Sequence, residues 1–209
     1  MNRRGLLLAL PIVSLAACGS VLPDRPYIET KRFPLVAPRP ANAPVRRGGG
    51  RRVLLVRLLR AAPGLETRGL RSLRPDGTEN VDFYAEWTAP PAEVAEEALR
   101  RWLSASGLFG GVVAPGSRAR NDFVLECELT ALIADPGRRE ARAGLSAVLM
   151  REGEGETRLL TQLAVTGTAP LPAPAADGTL PPEVLAAGMN AAFAAAMGAL
   201  ENGLVGFIR

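Results

Sequence analysis

Three long runs of alternating apolar and polar residues between Asp122 and Thr168 constrain the fold of this chain more than any other feature. In the first, Phe123, Leu125, Cys127, Leu129, Ala131 and Ile133 alternate with Asp122, Glu126, Glu128 and Thr130. Asp135-Pro136-Gly137 predicts a turn, and Ala141 to Met150 runs back. Glu152 to Glu156 is a second polar turn, and Arg158 to Thr168 returns again. Period-two alternation is the pattern of a half-buried strand, and short turns between such runs predict an antiparallel meander. Two of the runs carry apolar residues on both faces. Val148 and Met150 lie opposite Ala147 and Leu149, and Leu160 and Ala164 lie opposite Leu159 and Leu163. Either the helices bury both faces, or an apolar surface is left for a partner or ligand.

Two helices are available to cover such a sheet. Pro90-Pro91 opens the first, where the missing proline N–H costs least, and Gly107 closes it after Ser106. Val94, Ala95, Ala98, Leu99, Trp102 and Leu103 recur at helical spacing and form its buried stripe. Glu96–Arg100 and Glu97–Arg101 are i,i+4 pairs in the favourable order, the mark of a solvated face. The second helix runs from Pro182 to about Leu204. It is rich in alanine, carries Leu185, Met189, Phe193, Met197 and Leu200, and is small-sided enough to approach a sheet closely.

Upstream, Leu65 to Leu73 and Asn80 to Trp87 flank Pro75-Asp76-Gly77 and predict a hairpin. Val81, Phe83, Ala85 and Trp87 share one face of its second strand. Val53 to Leu59 reads as a central strand, and Tyr27 to Ala37 as an edge strand interrupted by Pro34. Residues 38–50, with three prolines and Gly48-Gly49-Gly50, read as a linker or loop. Its flanking Arg46, Arg47, Arg51 and Arg52 fit a solvated loop better than a membrane-surface patch. The expected fold is a single α+β domain, a mainly antiparallel sheet of about six strands with two helices packed on it.

The amino terminus sets where that domain works. Met1-Asn2-Arg3-Arg4 is a basic head, Gly5 to Ser14 an apolar run, and Leu15-Ala16-Ala17-Cys18 a lipobox. The apolar run is far shorter than the roughly 20 residues that span a bilayer as a helix. Residues 1–17 therefore read as a lipoprotein signal peptide and Cys18 as the lipidation site, with a palmitate-type acyl chain. Residues 18–50 are the lipidated cysteine, a tether and the edge strand, and residues 51–209 the periplasm-facing domain. Gly19, in place of the Asp that commonly retains such proteins at the inner membrane, favours the outer membrane.

Composition removes several classes of chemistry. Residues 1–17 hold two of the 25 basic residues and none of the 21 acidic ones, so the remainder carries a net charge of only +2. No clustered positive excess marks a nucleic-acid partner. Histidine is absent, which excludes His-based triads and His metal sites. No cofactor motif occurs. With Cys18 lipidated, Cys127 is a lone thiol in an apolar run, most simply a small buried hydrophobe. Glu126 and Glu128 share a strand face and read as solvent-facing. The chain is not expected to be an enzyme, and a lipid-anchored hydrolase is disfavoured.

In this order of elements the chain resembles the ABC-type transport auxiliary lipoproteins, including their paraquat-inducible, MCE-associated branch. The likeness rests on the lipobox at Cys18, Val53-Leu54-Leu55-Val56, Ala62-Pro63-Gly64-Leu65 and Tyr84-Ala85-Glu86-Trp87 followed by Pro90-Pro91. It continues through Ser106-Gly107-Leu108-Phe109, the Leu125 to Leu132 strand and Met189-Asn190-Ala191-Ala192. The resemblance implies a non-catalytic accessory of an MCE-type substrate-binding protein and its ABC permease and ATPase, moving lipids between inner and outer membranes. The competing reading is a structural outer-membrane lipoprotein of the lipopolysaccharide-assembly type. Lipid itself and further copies of the chain are the other partners this reading allows.

Overall fold

The computed structural model describes residues 27–46, 50–153 and 155–208. The lipobox and Cys18 lie outside these residues. In chain order the elements are β1 (Lys31–Phe33), β2 (Val53–Ala61), β3 (Gly69–Leu73), β4 (Glu79–Trp87), α1 (Pro91–Ser106) and β5 (Gly111–Val113). They continue with β6 (Phe123–Asp135), β7 (Glu140–Glu152), β8 (Thr157–Pro170) and α2 (Pro182–Leu204).

The domain is α+β as expected, but the sheet has eight strands and is mixed. The meander β6-β7-β8 and the hairpin β3-β4 are antiparallel. The pairs β1-β4, β2-β5, β2-β6 and β3-β6 are parallel. The expectation of a mainly antiparallel sheet followed the short turns alone. Parallel pairs need long crossovers, and the chain between β2 and β6, which includes the hairpin and α1, supplies one.

The long strand β6 organises the sheet. Along one edge it pairs with β7 over its whole length; along the other it takes β2 at Phe123–Leu129 and β3 at Ala134. The sheet forks at a bulge at Thr130, where the register with β7 shifts between Leu129 and Ala131. Beyond the bulge the inward face passes to Leu132 and Ala134, so the single alternation predicted through Ile133 is broken there. Gly144 makes room for it, since a Cβ at that position would sit 2.5 Å from the Thr130 hydroxyl.

Both helices pack on one face of the sheet. Helix α1 begins at Pro91 and ends at Gly107, whose φ of 73° is the left-handed cap. It buries Ala95, Leu99, Trp102 and Leu103 over β2 and β5. Helix α2 lies across β6, β7 and β8, close enough that a Cβ on Gly167 would be 2.1 Å from the Ala196 nitrogen. By length and composition α2 is apolar enough to cross a membrane, yet half of that stretch is buried in this fold, as a core helix would be. Phe123, Leu125, Leu129, Leu145, Leu149, Phe193 and Leu200 form the fully buried centre.

The first strand is shorter than expected. Pro34 ends β1 after Phe33, and the chain becomes a strap across both helices that buries Leu35 and Ala37. In the hairpin, Ala85 and Trp87 are buried as predicted, but Val81 and Phe83 on the same nominal face are exposed. The register explains Phe83: Gly69 pairs with Glu86 and Arg71 with Val81, so residues 82–84 bulge out of the ladder with β3, while Ala85 is held by Lys31 of β1.

Candidate functional site

Because both helices share one face, the opposite face of the sheet is where the alternating pattern leaves side chains uncovered by them. Cross-strand partners line up there as Val113, Leu55, Val124, Met150 and Leu159. Val124 is buried, Leu55, Val113 and Met150 are half-buried, and Leu159 is 60% exposed. Val148, opposite Glu126, extends the band. Its border is charged. Arg57 donates to Glu126 at 2.9 Å, and Arg60 is the cross-strand partner of Glu128. Glu126 and Glu128 thus lie on this open face as predicted, each beside an arginine. An apolar centre with a polar rim is the usual anatomy of a protein interface.

The predicted apolar surplus resolves residue by residue. Val148 and Met150 are on the open face. Leu160 is not: the register slips between Leu149 and Met150, which sets Met150 against Leu159 and turns Leu160 toward the core. The exposed apolar residue of that strand is Leu159, and the slip, invisible in the alternation, is why.

On the helix side the strap is held by a buried charge cluster, a clasp that the expectations above did not include. Glu201 of α2 is 5% exposed and accepts from Arg39 Nε at 2.8 Å and Nη2 at 2.9 Å. It also accepts from Arg46 Nε at 3.1 Å and from Trp102 Nε1 at 2.8 Å. Burial alone would raise its pKa, but the donors from Arg39, Arg46 and Trp102 outweigh it and hold the carboxyl below the usual carboxylate range. The same hydrogen bond from Arg39, against its own burial, raises that guanidinium's pKa. Gly107 lets the strap pass: Arg46 N donates to Ser106 O at 2.8 Å, and a Cβ on Gly107 would be 2.4 Å from Arg46 O. Between the strap and α1 runs a groove of about 460 Å³ lined by Val36, Pro38, Val94 and Ala98.

Of the arginines expected in a solvated loop, Arg46 is instead part of this clasp. Arg52 donates to Ile208 O at 3.2 Å and lies 5.8 Å from the centroid of the Phe123 ring. Arg47 is outside the described residues. Trp102 is a core anchor as predicted, with a polar role as well. Cys127 is buried, and desolvation, with Glu126 and Glu96 nearby, pushes its thiol up to about 12, so it stays protonated at neutral pH. The Glu97–Arg101 pair forms at 2.8 Å, and Glu96 also pairs with Arg100 while accepting from Leu59 N at 3.0 Å. Among the described residues, no three His, Cys, Asp or Glu side chains group as metal ligands.

No known family model matches the sequence, and no curated protein matches it. Solved structures do. The chain is similar to protein XCC0632 from Xanthomonas campestris, of family DUF330, with a TM-score of 0.65 and 18% identity over 84% of this chain and 95% of that one. A second crystal structure, of an uncharacterized protein, gives a TM-score of 0.56 and 16% identity over 87% of this chain and all of that one. At these identities the likeness is one of fold.

Proposed function

We propose that this chain is a non-catalytic, lipid-anchored envelope protein that serves as the accessory of an MCE-type ABC transporter moving lipids between the two membranes. In this reading Cys18 carries the acyl anchor, the domain faces the periplasm from the outer membrane, and the open sheet face receives the MCE-type substrate-binding protein. The observation that carries the reading is that face: a band from Leu55 to Leu159, uncovered by either helix and bordered by Arg57, Glu126, Arg60 and Glu128. An apolar band of this kind on an otherwise well-packed domain marks a partner site. The fold shared with the DUF330 structure over most of both chains supports the resemblance read from the sequence. The inert Cys127 thiol and the absence of histidine from the chain support a binding role.

The test is co-purification from detergent-solubilised envelopes. The parent chain is expected to bring down the MCE-type protein with its permease and ATPase. Val148→Glu with Met150→Lys should fold and keep its anchor but lose those partners. Recovery of an outer-membrane barrel instead, or of the transporter undiminished by the two charges, would overturn the reading.

A further inference from the structure

The sheet carries a second exposed apolar patch, and it is built rather than incidental. The bulge of β4 pushes Phe83 out to 81% exposure beside Tyr84 at 43%, with Val81 at 46%. The two rings meet edge to face with centroids 5.1 Å apart. Asp82 fixes the bulge by accepting from Tyr84 N at 2.8 Å and Ala85 N at 3.0 Å. Gly69 permits it, since a Cβ there would be 2.6 Å from both Asp82 O and a Val81 methyl. A bulge held in this way serves to re-aim side chains.

Its place in the fold says what it faces. Strand β1 runs parallel to β4 with Lys31 beside Ala85, so the chain before Lys31 arrives at the end of β4 that carries Val81 to Tyr84. That chain brings two more exposed apolar residues, Tyr27 and Ile28. Cys18 is nine residues before Tyr27 in the sequence, a reach of at most about 30 Å even for a fully extended chain. Lys31, Arg32 and Arg68 flank the patch with side chains about half exposed, Lys31 paired with Glu183 and the two arginines sharing Glu86. Exposed aromatics bordered by Lys and Arg, beside a short lipidated tether, are the composition that seats a protein at a bilayer interface.

We infer that Phe83 and Tyr84, with Val81, Tyr27 and Ile28, form a membrane-contact patch that seats the domain on the lipid surface into which Cys18 is anchored. The inference rests on the lipid-anchor reading above. The acyl chains tether, and the patch orients. With the hairpin end of the sheet against the lipid, the open face stands upright, free for a protein partner.

The full-length protein, reconstituted in phosphatidylethanolamine–phosphatidylglycerol vesicles containing a phospholipid brominated near the glycerol end of its acyl chains, tests this directly. The native Trp87 and Trp102 are buried and provide the baseline. Phe83→Trp and, separately, Tyr84→Trp should lose roughly twofold of their added emission to bromine, as expected for a ring 5–10 Å into the head-group boundary. Gln162→Trp, on the open face, should not be quenched. Fatty-acid labelling of the same samples reports the anchor separately. Unquenched emission at both positions in labelled protein would overturn the patch and leave the anchor standing. Unlabelled protein whose reporters are still quenched would overturn the anchor and uphold the patch. Emission blue-shifted but unquenched would show the patch covered by protein and overturn the inference.

Discussion

The two faces of the sheet use the same strands for opposite ends. On the helix side, small residues let α2 lie directly on the backbone of β8 at Gly167, and every large side chain of the core meets another. The buried carboxylate there, Glu201, is surrounded by donors from the strap, Arg39 and Arg46, and from Trp102 of α1. On the open side, an apolar band stays partly exposed and its charges sit at the rim, Arg57 paired with Glu126 and Arg60 across from Glu128. The comparison teaches that apolar content alone does not place a core. What separates the faces is which one the crossover helix and the terminal helix can reach.

The sharpest way to break the comparison is to disturb the closed face at its tightest point. Gly167→Val places atoms where the Ala192 carbonyl and the Ala196 amide already lie, so α2 must shift off the sheet to admit it. Overpacking against a rigid neighbour costs on the order of 3 kcal/mol or more, so this variant should lose its cooperative thermal transition. The clasp comes next. Trp102→Ala removes a buried ring and should cost about 3–5 kcal/mol. Trp102→Phe keeps most of the packing but strips Glu201 of one donor and should cost about 1–3 kcal/mol. A melting temperature of Trp102→Phe equal to the parent's would show that the hydrogen bond to Glu201 adds nothing.

Glu201 also predicts a pH dependence with a definite sign. Its folded pKa lies below the ordinary carboxylate value, so its contribution is present above that ordinary value and is lost as pH falls through the folded one. Glu201→Gln should therefore melt lower than the parent at pH 7, with a gap that narrows as the solution is acidified. A gap that widens at low pH would contradict the assignment. The smallest effect belongs to the open face. Val148→Glu and Met150→Lys should change stability by no more than about 1 kcal/mol, the ordinary range for substitutions away from the core.

Much of the closed face was legible because its signals are local. Pro90-Pro91, Gly107 and a stripe at helical spacing define α1 within a single window, and the same is true of the three long runs with their Pro and Gly turns. What escaped depends on residues far apart. The parallel pairing of β2 with β6 is set by a crossover, not by either strand's own pattern. The bulge at Thr130 was hidden because Ala131, Leu132 and Ile133 are all apolar, so a one-residue slip leaves no break in the alternation; Gly144, opposite, was its only trace. The clasp had a readable sign. Glu201 interrupts the stripe of Met197, Leu200 and Leu204, and a carboxylate on a buried helix face demands cationic partners. The sequence did not say which arginines, since Arg39 and Arg46 lie more than 150 positions away. On the open face, Val148 and Met150 were read correctly, and Leu160 failed for the same reason as Thr130, a register slip.

The central claim, that the open face is kept for a protein partner, is tested most directly by where the chain touches other proteins in intact envelopes. A photo-reactive phenylalanine analogue placed at Leu159 should cross-link to the MCE-type substrate-binding protein on illumination, and the same analogue at Arg101, on the outer face of α1, should not. Cross-links to that protein from Arg101 alone, with none from Leu159, would contradict the account.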